Sequence, residues 1–396
     1  MIPMRMSERR TTFLGALLTT LGPISMAIYT PAMPELVRAF GTTDAAIKLS
    51  LSMFFAGFAL AQLVAGPLAD ALGRKKATLI FLSIYLAGSL LAFLAPSVEF
   101  ILAARLVQGI GASVGVVVGR AIVRDLYTGA DAARILNTIG IFLAVGPAMG
   151  PTLGGLALAA FGWNAVFLLM VAFGLMAMAF TLFLLRETIV PDLGRLKPGQ
   201  LWRNYIEVAG NARFIAASLV LSGTIGALYA QSTMLPFVLI NEVGLTPTQF
   251  GMGMLMQSGA YLTGSLSLKV VSRRISGLTA SRIGITLCGT GAVIMALSVA
   301  FVPPFFLSIM GPVAICTFGL AFLSPHVVTT SMAPFPHIAG SASALTGFLQ
   351  MSAGFAGGVA AASIGDPLTA FGIIIPFMEL SAVGGFVWLR VLERRA

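Results

Sequence analysis

Residues 66–76 read Gly66-Pro-Leu-Ala-Asp70-Ala-Leu-Gly73-Arg74-Lys75-Lys76. One carboxylate stands four residues ahead of an arginine, and three cations follow a glycine in a row. The run 46–68 leads into this segment and the run 77–95 leaves it. Each is mostly apolar and close to the roughly 20 residues that a membrane-crossing helix needs. A tight basic turn between two such runs joins helices that pack closely. Asp70 can pair there with an arginine or accept from the positive N-terminus of a neighbouring helix. Breaking that contact would switch between two conformations.

The pattern extends over the whole chain. Of 396 residues, 58% are hydrophobic and 10% charged, and the mean hydropathy is +0.96. Soluble domains are about a quarter charged, so this surface has to be solvated by lipid. Twelve stretches are long and apolar enough to span: 12–34, 46–68, 77–95, 98–122, 132–156, 162–186, 213–239, 247–270, 279–301, 303–325, 338–363 and 367–390. Turn residues and charges separate them, as at Gly41-Thr-Thr-Asp44 and Gly365-Asp-Pro367. After Arg5, Arg9 and Arg10 the first run is too long for the h-region of a signal peptide, so it reads as the first span. With the N-terminus in the cytoplasm, all of the 24 Lys and Arg face that side except Arg38, Lys48 and Arg105. This positive-inside bias places both termini in the cytoplasm. The net charge of +10 then belongs to loops facing anionic lipid rather than to nucleic-acid binding.

The longest polar connection divides the spans six and six. The expected fold class is therefore an all-α polytopic membrane protein, with twelve transmembrane helices as two six-helix bundles. Residues 1–186 form the N-terminal bundle, 187–212 a cytoplasmic linker with a short helix around Trp202-Arg-Asn-Tyr205, and 213–396 the C-terminal bundle. Two near-equal bundles match the repeat plan of secondary transporters. Cys288 and Cys316 lie in apolar runs and His326 and His337 form no cluster, so neither a disulfide framework nor a metal site is expected. No soluble catalytic domain is visible, which argues against an enzyme.

Three features inside the spans carry mechanism. In Gly146-Pro147-Ala-Met-Gly150-Pro151-Thr-Leu-Gly154-Gly155, Gly146, Gly150 and Gly154 form one helical stripe that admits a close neighbour. Pro147 and Pro151 bend the same helix. Arg105 stands within the fourth span, in Ala104-Arg105-Leu-Val-Gln108-Gly109-Ile-Gly111. A buried arginine costs several kcal/mol unless paired or hydrated and marks a pathway; snorkelling to the outer surface is the alternative. Gln108 shares its helical face. Among the 14 acids, only Glu379 lies well inside a span, where low dielectric favours the protonated carboxyl that a proton carrier requires.

The 66–76 segment resembles the loop signature of the major facilitator superfamily. That resemblance implies the major facilitator fold, and it implies that Asp70, Gly73 and Arg74 belong to a cytoplasmic gate holding the two halves together. Position 71 departs from the family, with Ala where a basic residue is usual, and the second-half counterpart (Gly264-Ser-Leu266, Arg273-Arg274) is only an echo. The Gly146–Gly154 pattern resembles the antiporter signature of drug:proton exporters. It implies a hinge and seal on the periplasmic side, and export. R-x-x-Q-G-x-G at 105–111 resembles the fourth-span signature in which the arginine couples protons to substrate. Pro23-Ile-Ser25-Met-Ala-Ile-Tyr29-Thr-Pro31-Ala-Met-Pro34 and Arg120-Ala-Ile-Val-Arg124-Asp125-Leu-Tyr127 look like the Bcr/CflA branch of multidrug exporters. That branch usually has Asp two residues before the tyrosine, where this chain has Ala27.

With that acid missing, Arg105 and Glu379 are the proton-coupling candidates; the rival is exchange without a membrane acid. The resemblance implies a cavity lined by spans 1, 2, 4, 5, 7, 8, 10 and 11, with Tyr29, Gln62, Gln108, Asn137, Tyr229, Gln257 and Tyr261 as substrate-binding candidates. Adaptable Met and aromatic side chains would surround them. The expected function is secondary active export of small amphipathic drugs by alternating access in exchange for protons. The proton gradient is the driving force and no cofactor is needed. An importer or facilitator of a polar solute without proton antiport is the alternative, and a receptor or channel is a third. The partners are a small-molecule substrate and the bilayer, the protein is a monomer, and the location is a bacterial cytoplasmic (inner) membrane.

Overall fold

The computed structural model describes residues 6–195 and 197–395, apart from the side chains of Ala144, Val145, Pro147 and Arg195. Arg5, counted above with the cytoplasmic cations, and the Pro147 side chain therefore lie outside the described residues. Every regular element among them is helical. In chain order these are α1 (Glu8–Tyr29), α2 (Met33–Phe40), α3 (Asp44–Leu72), α4 (Arg74–Phe93), α5 (Val98–Leu126), α6 (Gly129–Phe161), α7 (Asn164–Leu184), α8 (Pro198–Ala209), α9 (Ala212–Pro236), α10 (Pro247–Val271), α11 (Gly277–Phe301), α12 (Phe306–Met332), α13 (Ala339–Ile364) and α14 (Pro367–Arg394). The twelve long helices follow the twelve apolar stretches, often running several residues past them, because helices continue into the interface until a cap stops them. Thr43 accepts from the Ala46 amide at the start of α3, Thr246 and Gln249 cap α10 reciprocally, and Asp366 accepts from Thr369 at the start of α14. Pro31 and Pro34 have no amide hydrogen to donate, and the first span breaks there into a 3-10 turn and the short α2.

Eleven helical segments among the described residues have both the length and the apolarity of a span. The expected eighth span, α10, is the exception: its 25 residues are enough to cross, but Gln257, Ser258 and Tyr261 lower its hydropathy because it lines the central cavity. In the first half α5 packs against α1, α3 and α4. Backbones meet there: a Cβ on Gly109 or Gly115 would run into the carbonyls of Phe54 or Leu18. Such close approach supplies the dispersion contacts that hold helices together in lipid, where apolar burial alone gives no drive. In the second half α9 packs on α13 and α14, and α11 on α12. The halves meet along α3 with α13 and α6 with α10. Phe183, Phe301 and Phe377 stand out from the surface, as lipid-facing side chains do. The linker helix α8 is tied to both halves: the Tyr205 hydroxyl donates to the Leu63 carbonyl (2.6 Å), and Glu207 meets His337 (2.9 Å).

Candidate functional site

A cavity of about 280 Å³ lies between the halves. Met26 and Ala27 of α1, Pro151 of α6, Tyr229 and Ser232 of α9, Gln257, Ser258 and Tyr261 of α10, and Thr317 of α12 contribute to its wall. The surface is apolar with scattered hydroxyls and one amide, and no charged side chain lines it among the described residues. Three sequence candidates, Tyr229, Gln257 and Tyr261, are on this wall. Asn137 is exposed on α6, three residues from Gly140, which lines the cavity. Spans 2, 4 and 11 contribute no lining residue.

Tyr29, Gln62 and Gln108 are placed elsewhere. Tyr29 is fully buried, its hydroxyl bonded to Ser50 (2.5 Å). Gln62 is buried at the α3–α13 contact, against Gly347. Gln108 donates to Ser89 (2.7 Å) and accepts from Arg105. Each of these polar groups is held inside a helix contact and does not face a solute. Ser232, Ser258 and Thr317 escaped the sequence reading because small hydroxyls are common in spans. The usable signal was position: Ser232 lies three residues from Tyr229 and Ser258 three from Tyr261, on shared helical faces.

Arg105 does not snorkel. It is completely buried in the first half, among α1, α3, α4, α5 and α7. Its guanidinium lies over the Tyr29 ring (4.3 Å) and the Phe54 ring (4.5 Å) and donates to Gln108. Two faces of aromatic quadrupole take the place of a carboxylate, each contributing on the order of 2 kcal/mol when desolvated. Nε and Nη2 have no partner. Ala27, in the place of the usual acid, faces the cavity.

The cavity is closed at the end where α3 begins. Lys48 is fully buried and donates to the Gly365 carbonyl at the end of α13 (3.0 Å), and its ammonium lies 5.5 Å from the Phe237 ring. Beside it α6 meets α10: Gly155 abuts the Pro247 carbonyl and Gly251 abuts the Pro151 carbonyl. The stripe of Gly146, Gly150 and Gly154 lies on α1 instead, against Thr20, Ala27 and Ile28. The inter-half contact thus falls to the neighbouring Gly155. Toward the other end, a groove sharing Tyr261 with the cavity runs past Ser265, Lys269 and His326 to the turn at Ser272–Gly277.

At that other end Arg74 pairs with Asp70 and with Asp125 (3.0 Å). Thr188 donates to Asp125 (2.7 Å), and the Glu187 carboxylate accepts from the amides of Arg74 (2.7 Å) and Lys75 (3.2 Å), capping α4. Gly73 is required here: its φ is +91°, and a Cβ would strike the Glu187 carboxylate. Among the described residues the cluster around Arg74 draws its partners from residues 70–188, so in this conformation it does not bridge the halves. Asp125, Glu187 and Thr188 were not anticipated; Asp125 adjoins Arg124 in a motif read only for its resemblance.

Glu379 is buried inside the second half, away from the cavity wall. Its Oε2 has no partner, and the Cys288 and Cys316 thiols are near enough to act on the carboxyl electrostatically.

Residues 15–358 match the family described as Major Facilitator Superfamily. An uncharacterised MFS-type transporter of Bacillus subtilis, YdgK, is 28% identical over 86% of each chain. Multidrug resistance protein D of Escherichia coli is 26% identical over 84% of each, and a chloramphenicol resistance protein of Pseudomonas aeruginosa is 26% identical over 96% of this chain and 90% of its own. Among solved structures, the human organic anion transporter MFSD10 superposes with a TM-score of 0.70 at 17% identity, covering 97% of this chain and 100% of that one; at that identity the likeness concerns the fold.

Proposed function

The chain belongs to the major facilitator superfamily, and from that premise we propose that it exports small amphipathic toxic compounds by alternating access, in exchange for protons. The observation that carries this reading is the cavity between the halves, walled by Met26, Tyr229 and Tyr261, closed at the Lys48–Gly365 end and continued by a groove at the other. Such a wall suits varied apolar ligands, and the resistance proteins among the relatives support efflux. Residues 1–186 and 213–396 are the two moving bodies, with 187–212 as a cytoplasmic linker. Both termini are cytoplasmic, in a bacterial inner membrane. The cluster around Asp70, Gly73 and Arg74 is the inner gate, free of the second half while that gate is open. The stripe of Gly146, Gly150 and Gly154 packs α6 closely on α1, and Gly155 and Pro151 beside it carry the outer seal against α10.

Arg105 and Glu379 are the coupling groups. Arg105 acts through the Tyr29 ring on α1, whose next residue, Thr30, lines the cavity. Glu379 acts through packing, since α14 meets α9 backbone to backbone at Gly223 and α9 carries Tyr229. Chloramphenicol added to energised everted vesicles should release protons from the lumen, read as dequenching of a ΔpH dye. Arg105→Ala should abolish that release while the membrane yield is unchanged. One observation favours the second reading, a facilitator without antiport: the cavity wall has Ala27 and no acid. Chloramphenicol transport with no proton movement would establish it.

A further inference from the structure

We propose that the groove between α10, α11 and α12 binds an anionic glycerophospholipid, with Lys269 and His326 holding its phosphate. The proposal goes beyond the export reading and does not depend on it: the groove shares Tyr261 with the cavity, and its other lining residues are separate. α10 and α11 both pack on α12. The space between them, about 540 Å³, is floored by Ala321, Phe322, Pro325 and His326 of α12. It runs along the last three turns of α10, from Tyr261 to Ser272, about 16 Å of helix. That is roughly half of the hydrocarbon core. Because α10 starts at the closed end, where Pro247 meets Gly155, the groove lies in the opposite leaflet, level with the Arg74 cluster.

Polarity is graded along this length. The deep end is Tyr261, Ala321 and Phe322, and the shallow end is Lys269, Ser272, Ser276, His326 and Thr329. The lining residues Tyr261, Ser265 and Lys269 run beside an exposed apolar stripe, Leu262, Leu266 and Val270, so the mouth opens toward lipid. An acyl chain suits the deep end and a phosphodiester the shallow one. Among the described residues, neither the Lys269 ammonium nor the His326 ring has a hydrogen bond or ion pair. Gly277 leaves room for that ring, whose Nδ1 lies 3.0 Å from where a Cβ would stand. No Asp or Glu occurs between Glu242 and Asp366, so α10 to α13 offer Lys269 and His326 no carboxylate. Of the remaining second-half acids, Glu379 is buried and Glu393 pairs with Arg390. A basic pocket between spans at a membrane surface binds phospholipid headgroups, and the serine and threonine hydroxyls add donors. A zwitterionic headgroup would bring its own cation to Lys269 and is disfavoured.

Native mass spectrometry tests this on the full chain in detergent, mixed with equal amounts of phosphatidylglycerol and phosphatidylcholine carrying the same acyl chains. Phosphatidylglycerol should be retained at least about fivefold in preference. Lys269→Gln combined with His326→Gln should erase that preference, and Lys269→Arg should retain most of it, which separates charge from folding. Arg282→Gln, at an exposed position of α11 outside the groove, should also retain it, which separates this site from diffuse surface attraction. Equal retention of the two lipids, an unchanged preference in the double variant, or an equal loss in Arg282→Gln overturns the proposal. Excess glycerol 3-phosphate distinguishes the source of the phosphate. It should not displace phosphatidylglycerol; displacement would assign the groove to a soluble phosphate ester and overturn the lipid assignment.

Discussion

Arg105 and Glu379 are both ionisable residues buried in spans, and their neighbours separate them. Arg105 is stacked between Tyr29 and Phe54, and Tyr29 is followed in the chain by the cavity-lining Thr30. Glu379 lies behind α9, with one oxygen unpartnered. That both are buried was legible from sequence, since any ionisable residue mid-span is conspicuous against its apolar run. Which one touches the solute path was not, because that depends on how far each helix is rotated about its own axis. Glu379→Gln keeps the shape and removes the titration. If Glu379 carries protons, the variant should lose the pH dependence of transport in vesicles while still binding substrate; a profile identical to that of the parent eliminates it.

Among the helices, α6 and α10 decide the closed end. The small-residue stripe was readable on α6, but it packs on α1 within its own half, and the contact across the halves is made by Gly155 against the Pro247 carbonyl. A side chain at 155 would meet that carbonyl carbon at 2.9 Å and the Thr248 Cα at 3.1 Å, and backbone cannot swing aside as a flexible side chain does. Overpacking of this kind costs about 1–3 kcal/mol, and here it is levied on one conformation only. Gly155→Val should therefore slow transport roughly tenfold or more and raise labelling of a cysteine placed at Ala27 by an impermeant maleimide added opposite the termini. Gly259→Ala, on α10 with open space around it, should change neither. Unaltered labelling in Gly155→Val would show that this contact is not the seal.

For the molecule as a whole, Lys48 links the halves most directly. Its hydrogen bond to the Gly365 carbonyl spans first half to second, and Asp44 and Asp366 supply opposite charge nearby. Hydrogen bonds from Thr369, together with the Lys48 charge, hold the Asp366 carboxyl below the ordinary carboxylate range. Asp366 therefore keeps its charge as pH falls through that range and loses it only in stronger acid. Burial instead raises the Asp44 carboxyl, so mild acid removes the Asp44 share of this attraction first and leaves the Asp366 share intact. A hydrogen bond from a charged donor contributes about 1.5–3 kcal/mol. Lys48→Met should raise the population open at this end roughly tenfold or more, seen as a longer distance between spin labels at Thr42 and Asn241. A distance distribution matching that of the unsubstituted chain would show that Lys48 is not a latch.

Composition and the spacing of apolar runs determined the membrane class and the twelve long helices, because each depends only on whether a stretch of chain prefers lipid. The glycine turn before Arg74 and the buried Arg105 were equally local. Tertiary structure alone decided that Tyr29 and Gln108 serve Arg105 rather than a solute, that Asp125 joins the Arg74 cluster, and that Gly155 and Lys48 close one end. The physical reason is that a helix exposes all its faces in sequence, and only its neighbours determine which of them lie against protein, lipid or the water-filled path.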